Sequence, residues 1–138
     1  MYYPDITGQE IPAASKNIQF AKSVVKVDLS FLVESSEGDR EYTKAMISMF
    51  LESMLARINM LQDQIDHQDW SALCKTAHLT KSTLSVVKID QLYDLASELE
   101  ILATTGKDLK KARLLLSQFR FFYNKSVLLL QKKLISYQ

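Results

Sequence analysis

Glycine and proline are scarce in this chain, three and two among 138 residues, and both prolines, Pro4 and Pro12, stand near the start. An all-β fold needs a turn signal about every ten residues, so the shortage argues against it and favours a helical protein. Cys74 is the single cysteine and has no internal disulfide partner. With no stretch that resembles a signal peptide, the sequence predicts a soluble protein of the reducing cytoplasm. Charge of one sign is also missing: 17 Lys and Arg face 16 Asp and Glu. No dense basic block stands out, so nucleic acid is not expected as the main partner. No apolar run approaches the roughly 20 residues that cross a bilayer, which removes a membrane span.

What is present suits one globular domain. Hydrophobic residues make up 47% and charged residues 24%, enough apolar surface for a single core at this length. Residues 1–26 hold both prolines without helical period and read as an extended or partly disordered arm, leaving 27–138 as the folded domain. "VDLSFLVESS" predicts a short helix with Asp28 as its N-cap.

Four longer helices follow, near 39–66, 69–87, 90–105 and 108–135. Asp39, Asp69 and Asp108 are N-cap candidates, the third of the four begins at Asp90, and Gly106 is a candidate C′ glycine. Each carries one apolar stripe at spacings of three and four: Ile47, Phe50, Met54, Ile58, Leu61 and Ile65 in the first, and Leu73, Ala77, Thr80, Leu84 and Val87 in the next. Leu92, Leu95, Leu99 and Leu102 follow, then Leu116, Phe119, Tyr123, Val127, Leu130 and Leu134. Amphipathic helices with short connections bury their stripes against each other, so the expectation is an all-α antiparallel up-down four-helix bundle. Trp70 reads as a packing anchor, Met46, Met49 and Met54 as adaptable filler, "LKKAR" and "QKKL" as solvated faces, and "QFRFFY" as core.

One histidine is out of step with its stripe. At about 100° per residue, His78 lies about 130° from the apolar centre of its helix. Ser71, Lys75, His78, Ser82 and Ser85 make a second stripe on the side facing away from the core, with Lys81 one turn beyond the imidazole. An exposed imidazole titrating near neutrality offers a nucleophilic nitrogen, and small neighbours leave room for another protein to approach. Cys74 and His78, at i and i+4, also have the spacing of half a zinc site, but His67 is the one other imidazole and no second cysteine exists. No glycine-rich phosphate loop is present. A Cys–His catalytic pair on this open face would have no oxyanion pocket.

"HLTKS" resembles the H-x-x-K-G core of the histidine-containing phosphotransfer (HPt) domains of two-component phosphorelays. The likeness extends over about residues 28–103: a short helix, a G-D helix start, a long helix with a Phe-Leu-Glu segment, a D-W start, the A-H-x-x-K helix, and then "QLYDLASELE", which is similar to the family's L-x-x-L-x-x-x-L-E helix. Two positions depart from the pattern: Ser82 replaces the glycine after the lysine, and Lys88 stands where a second glycine is common.

The resemblance implies a phosphoryl carrier, not a kinase. His78 would be the phosphoacceptor and Lys81 would steady the phosphate, while Lys75, Leu79, Ser82 and Ser85 would form the docking rim. The implied partners are response-regulator receiver domains and a hybrid histidine kinase. The carrier itself would be a monomer without a cofactor or metal, Mg²⁺ being held by the receiver. The alternative is an interaction bundle with the same fold that has lost phosphotransfer.

Overall fold

A computed structural model describes residues 25–136; the expected N-terminal arm lies outside the described residues except for its last two. Five α-helices follow in order: α1 (Ser30–Ser36), α2 (Arg40–Asp66), α3 (Trp70–Thr83), α4 (Asp90–Ile101) and α5 (Leu109–Ser136). No strand occurs among the described residues. An antiparallel bridge pairs Asp28 with Lys88.

The helix starts follow from side-chain chemistry. Asp39, Asp69 and Asp108 accept the backbone N–H of Tyr42, Ala72 and Lys111 at 3.1, 3.2 and 3.1 Å, so each satisfies a donor that the first turn leaves without a partner. Asp28 differs from the expectation by one position. Leu29 is the N-cap residue of α1, and the Asp28 carboxylate accepts the N–H of Ser30 at 2.9 Å from just outside the helix.

All of the α2 stripe is buried, as are Leu73, Ala77, Thr80, Leu84 and Val87 and the four leucines expected of α4. Each fully buried leucine or isoleucine contributes about 1.5–3 kcal/mol by leaving water, above the differences of up to about 0.7 kcal/mol in helix propensity among ordinary residues. Burial of these stripes therefore decides the architecture. α2, α3, α4 and α5 form an antiparallel bundle in which α3 and α5 occupy opposite corners, while α1 packs on α2. Tyr123 donates its hydroxyl to the Leu51 carbonyl at 3.1 Å and fixes the register of α5 on α2. Trp70 packs half-buried against the core, as does Met46; Met54 is buried, whereas Met49 and Phe121 point to solvent. "QFRFFY" is thus core at Phe119, Phe122 and Tyr123 but not at Phe121.

Two helix ends differ from the sequence expectation. α3 stops at Thr83 rather than continuing to position 87. Its chain turns over Ser85 and Val86, whose N–H groups bond the carbonyls of Ser82 and Thr83 at 3.2 Å. Lys88 then exchanges two backbone hydrogen bonds with Asp28, at 2.9 and 3.1 Å. Leu84, Val87 and Ile89 stay buried through this turn, so the apolar periodicity persists after the helix has ended.

At the end of α4 the backbone widens into a π-helical turn, Leu102–Gly106, closed by the Lys107 N–H on the Leu102 carbonyl at 2.7 Å. The left-handed residue is Lys107, with φ 48°, and not Gly106. At Gly106 a Cβ would stand 2.6 Å from Leu102 Cδ1, so a larger residue there would require that flexible side chain to shift.

Candidate functional site

α3 divides its residues between two environments. Leu73, Thr76, Ala77 and Thr80 face the core, and the Thr80 hydroxyl is satisfied there by the Thr76 carbonyl at 2.7 Å. Ser71, Lys75, His78, Leu79 and Ser82 are exposed, so the structure brings the expected rim together on one face. Ser85 is exposed as well, but it lies in the turn after α3, where its hydroxyl donates to the Ser82 carbonyl at 2.6 Å. It borders the helical face from its end and is not part of the stripe. Thr83 is gripped from α2 by Arg57, whose Nη1 donates to Thr83 Oγ1 at 3.3 Å, which anchors this end of α3.

The imidazole of His78 is 64% exposed, yet it is not free to turn. Nδ1 sits 2.9 Å from Oε2 of Glu100 on α4. The other carboxylate oxygen of Glu100 accepts from Lys81 Nζ at 3.0 Å. Lys81 is further held by Tyr93, its ammonium 5.3 Å from the ring centroid. α4 thus supplies a carboxylate that joins the histidine to the lysine.

The electrostatics agree with this geometry. The Lys81 hydrogen bond, followed by that of His78, holds the Glu100 carboxyl below the ordinary glutamate range. Reciprocally, the bond to Glu100 raises the Lys81 ammonium above the ordinary lysine value, against a smaller opposing effect of burial. Glu100 is therefore an anion and Lys81 a cation throughout the neutral range.

A carboxylate accepts only, so Nδ1 of His78 must carry the proton in this contact. In the neutral ring the lone pair then resides on Nε2. The contact with the carboxylate thus favours the tautomer that leaves Nε2 without a proton.

Glu100 and Tyr93 were missed as site residues by the sequence reading. They sit seven positions apart on α4, which places them on one face, and that face is visible in "QLYDLASELE". Which neighbour the face meets is set by the order of helices around the bundle, and the periodicity of α4 alone does not carry that.

His67 has different surroundings. It terminates α2, its Nδ1 donates to the Asp63 carbonyl at 2.9 Å, and Asp63, Asp66 and Asp69 raise its pKa together with that bond. Cys74 is half-buried, and among the described residues no group of three or more His, Cys, Asp or Glu could hold a metal ion. No helix among the described residues is long and apolar enough to cross a membrane.

The fold is similar to the crystal structure of histidine-containing phosphotransfer protein B from Pseudomonas aeruginosa PAO1, with a TM-score of 0.73 and 22% identity, covering 81% of this chain and 96% of that one. No curated protein matches the chain. The family model for the Hpt domain matches residues 45–125, a segment that contains His78, Lys81 and Glu100 together. With that match spanning more than half of its length, the chain belongs to the Hpt domain family, whose members are phosphotransfer carriers of phosphorelays and not kinases.

Proposed function

We propose that the protein carries a phosphoryl group on Nε2 of His78 between aspartates of response-regulator receiver domains. The observation that carries this reading is the contact of His78 Nδ1 with Glu100, which leaves the opposite ring nitrogen exposed with its lone pair available.

In the transfer, Nε2 attacks the phosphorus of a receiver's phosphoaspartate in line with the departing carboxylate. The N–P bond forms as the acyl P–O bond breaks, and the electron pair leaves with the aspartate. No proton has to move at the attacking atom. Positive charge develops on the ring as it is phosphorylated, and the Glu100 carboxylate at Nδ1 offsets it. Lys81, tethered one turn away, supplies positive charge toward the phosphoryl oxygens. The receiver contributes its own acidic pocket and Mg²⁺. Lys75, Leu79, Ser82 and Ser85 line the approach, and the small side chains at 82 and 85 leave the imidazole uncrowded. A hybrid histidine kinase loads the relay upstream of the first receiver.

The test is to charge a purified receiver with labelled phosphate, add the protein, and follow the label. Label that moves to this chain and is acid-labile but stable in alkali supports the carrier. A folded chain that takes none from several competent receivers would make it an interaction bundle that has lost the chemistry.

A further inference from the structure

The overall charge of +1 hides a strong segregation. α5 holds seven Lys and Arg and no Asp or Glu, leaving ten basic and sixteen acidic residues in the rest of the chain. The same helix exposes Leu114, Phe121, Leu128 and Ile135 at 52, 45, 63 and 69%. These four recur every seventh residue. At about 100° per residue, all lie within about 40° of the direction opposite the fully buried Phe119. The bundle core uses the other side of α5, so this stripe has no partner among the described residues.

Between the apolar residues, at the fourth position of each heptad, stand Ser117, Asn124 and Gln131, all exposed and uncharged. Together they give a continuous neutral seam in the register of a coiled coil, where such positions meet a facing helix. The flanks are basic on both sides, with Arg113 and Arg120 on one and Lys125 and Lys132 on the other. Present bonds leave these cations near the seam. Arg113 meets Asp66 at 3.4 Å in an exposed pair, Arg120 donates to Gln62 at 3.2 Å, and Lys125 stands 5.1 Å from the Phe121 ring centroid.

Flanking charges choose the partner of such a seam. A second copy docking its own α5 would set cations against cations. An anionic lipid surface favours a broad apolar wedge, and here the stripe is narrow, with Leu129, 36% exposed, to one side of it. We propose that the outward face of α5 docks an acidic amphipathic helix of another protein, with an apolar residue at every seventh position and carboxylates on both flanks. α5 and α3 sit at opposite corners of the bundle, so this partner binds away from His78.

The test uses the full chain and a labelled synthetic peptide of about four heptads, with Leu at both seam positions and Glu at both flanks. Its glutamates keep it from pairing with itself. A matched peptide carries Lys at the flanks. By fluorescence anisotropy the Glu peptide should bind with a Kd of about 10 μM or tighter at low salt and lose about tenfold or more in 0.5 M salt. The double variant Phe121→Ser/Leu128→Ser should bind at least about tenfold more weakly while keeping its helical spectrum and melting transition, because both side chains are exposed. The Lys peptide should not bind. Absence of saturable binding by the Glu peptide, equal binding of the Lys peptide, or full binding by the double variant overturns the proposal. So does a dimer of the chain that the double variant dissolves, or tighter sedimentation with phosphatidylserine vesicles than binding to the Glu peptide.

Discussion

Oε2 of Glu100 meets Nδ1 of His78 at 2.9 Å across the α3–α4 interface, although the two residues are 22 positions apart in the chain. The same carboxylate takes Lys81 at 3.0 Å through its other oxygen. One side chain from α4 thus orients the imidazole and anchors the cation beside it. A bare stripe of exposed residues on α3 would do neither.

The tautomer is the most local consequence. In the wild type, ¹⁵N chemical shifts of the His78 ring at a pH where it is neutral should show Nδ1 protonated and Nε2 bare. Glu100→Ala removes the acceptor, and the ring should move toward the Nε2–H form that free imidazole side chains favour. Phosphoryl transfer should slow at least about tenfold, within the range typical of lost acid–base positioning. An unchanged tautomer in Glu100→Ala would show that the carboxylate does not set it.

Acid should separate Lys81 from its role in the same group of residues. The Glu100 pKa is depressed on folding, so its contribution to stability is present above the ordinary carboxylate range and is lost as pH falls through the depressed value. The Lys81 pKa is raised, and its contribution is lost only as pH rises through that raised value. Lys81→Ala removes the largest cause of the Glu100 depression. The carboxyl ¹³C titration of Glu100 should then shift upward, toward ordinary glutamate, while the fold persists. Transfer should slow, or the phosphohistidine should hydrolyse sooner. A Glu100 titration that does not move would contradict the bridge.

Crowding tests the approach to Nε2. Ser82 is exposed one turn after His78 on the same face. Ser82→Trp should leave the melting transition near wild type and reduce transfer from a charged receiver by about tenfold or more, as a misplaced approach commonly does. Transfer at the normal rate would put the docking face elsewhere.

The core behind the site predicts a contrasting variant. Leu99 is fully buried beside Glu100 on α4. Leu99→Ala should cost about 2–5 kcal/mol in denaturant unfolding through lost burial and the cavity left behind. A cost below about 0.5 kcal/mol, the usual range for surface changes, would mean that this face of α4 is not packed as described.

Much of this architecture was legible because stripes of period 3.6 report directly on burial. Leu73, Ala77 and Thr80 announce the inner face of α3 and leave His78 outside by elimination. The end of α3 was less legible because Leu84 and Val87 remain in phase with the stripe although a turn carries them. The Asp28–Lys88 pairing, a contact between distant segments, lies beyond that turn and is not visible in the stripe. Glu100 escaped for a related reason: a polar residue beside a core leucine looks solvated until the neighbouring helix is placed. Phe121 misled in the opposite direction, since its aromatic neighbours Phe119, Phe122 and Tyr123 are core and it is not.

The carrier reading stands or falls on the acceptor. His78 has Lys81 and Glu100 beside it, whereas His67 is surrounded by Asp63, Asp66 and Asp69, which would repel an incoming phosphoryl group. A receiver carrying labelled phosphate should be mixed in parallel with wild type, His78→Gln and His67→Gln, each verified as folded by circular dichroism. Wild type and His67→Gln should take the label as an acid-labile phosphoramidate, and His78→Gln should take none. Label on folded His78→Gln, or its loss from His67→Gln instead, would contradict the assignment of His78 as the phosphoacceptor.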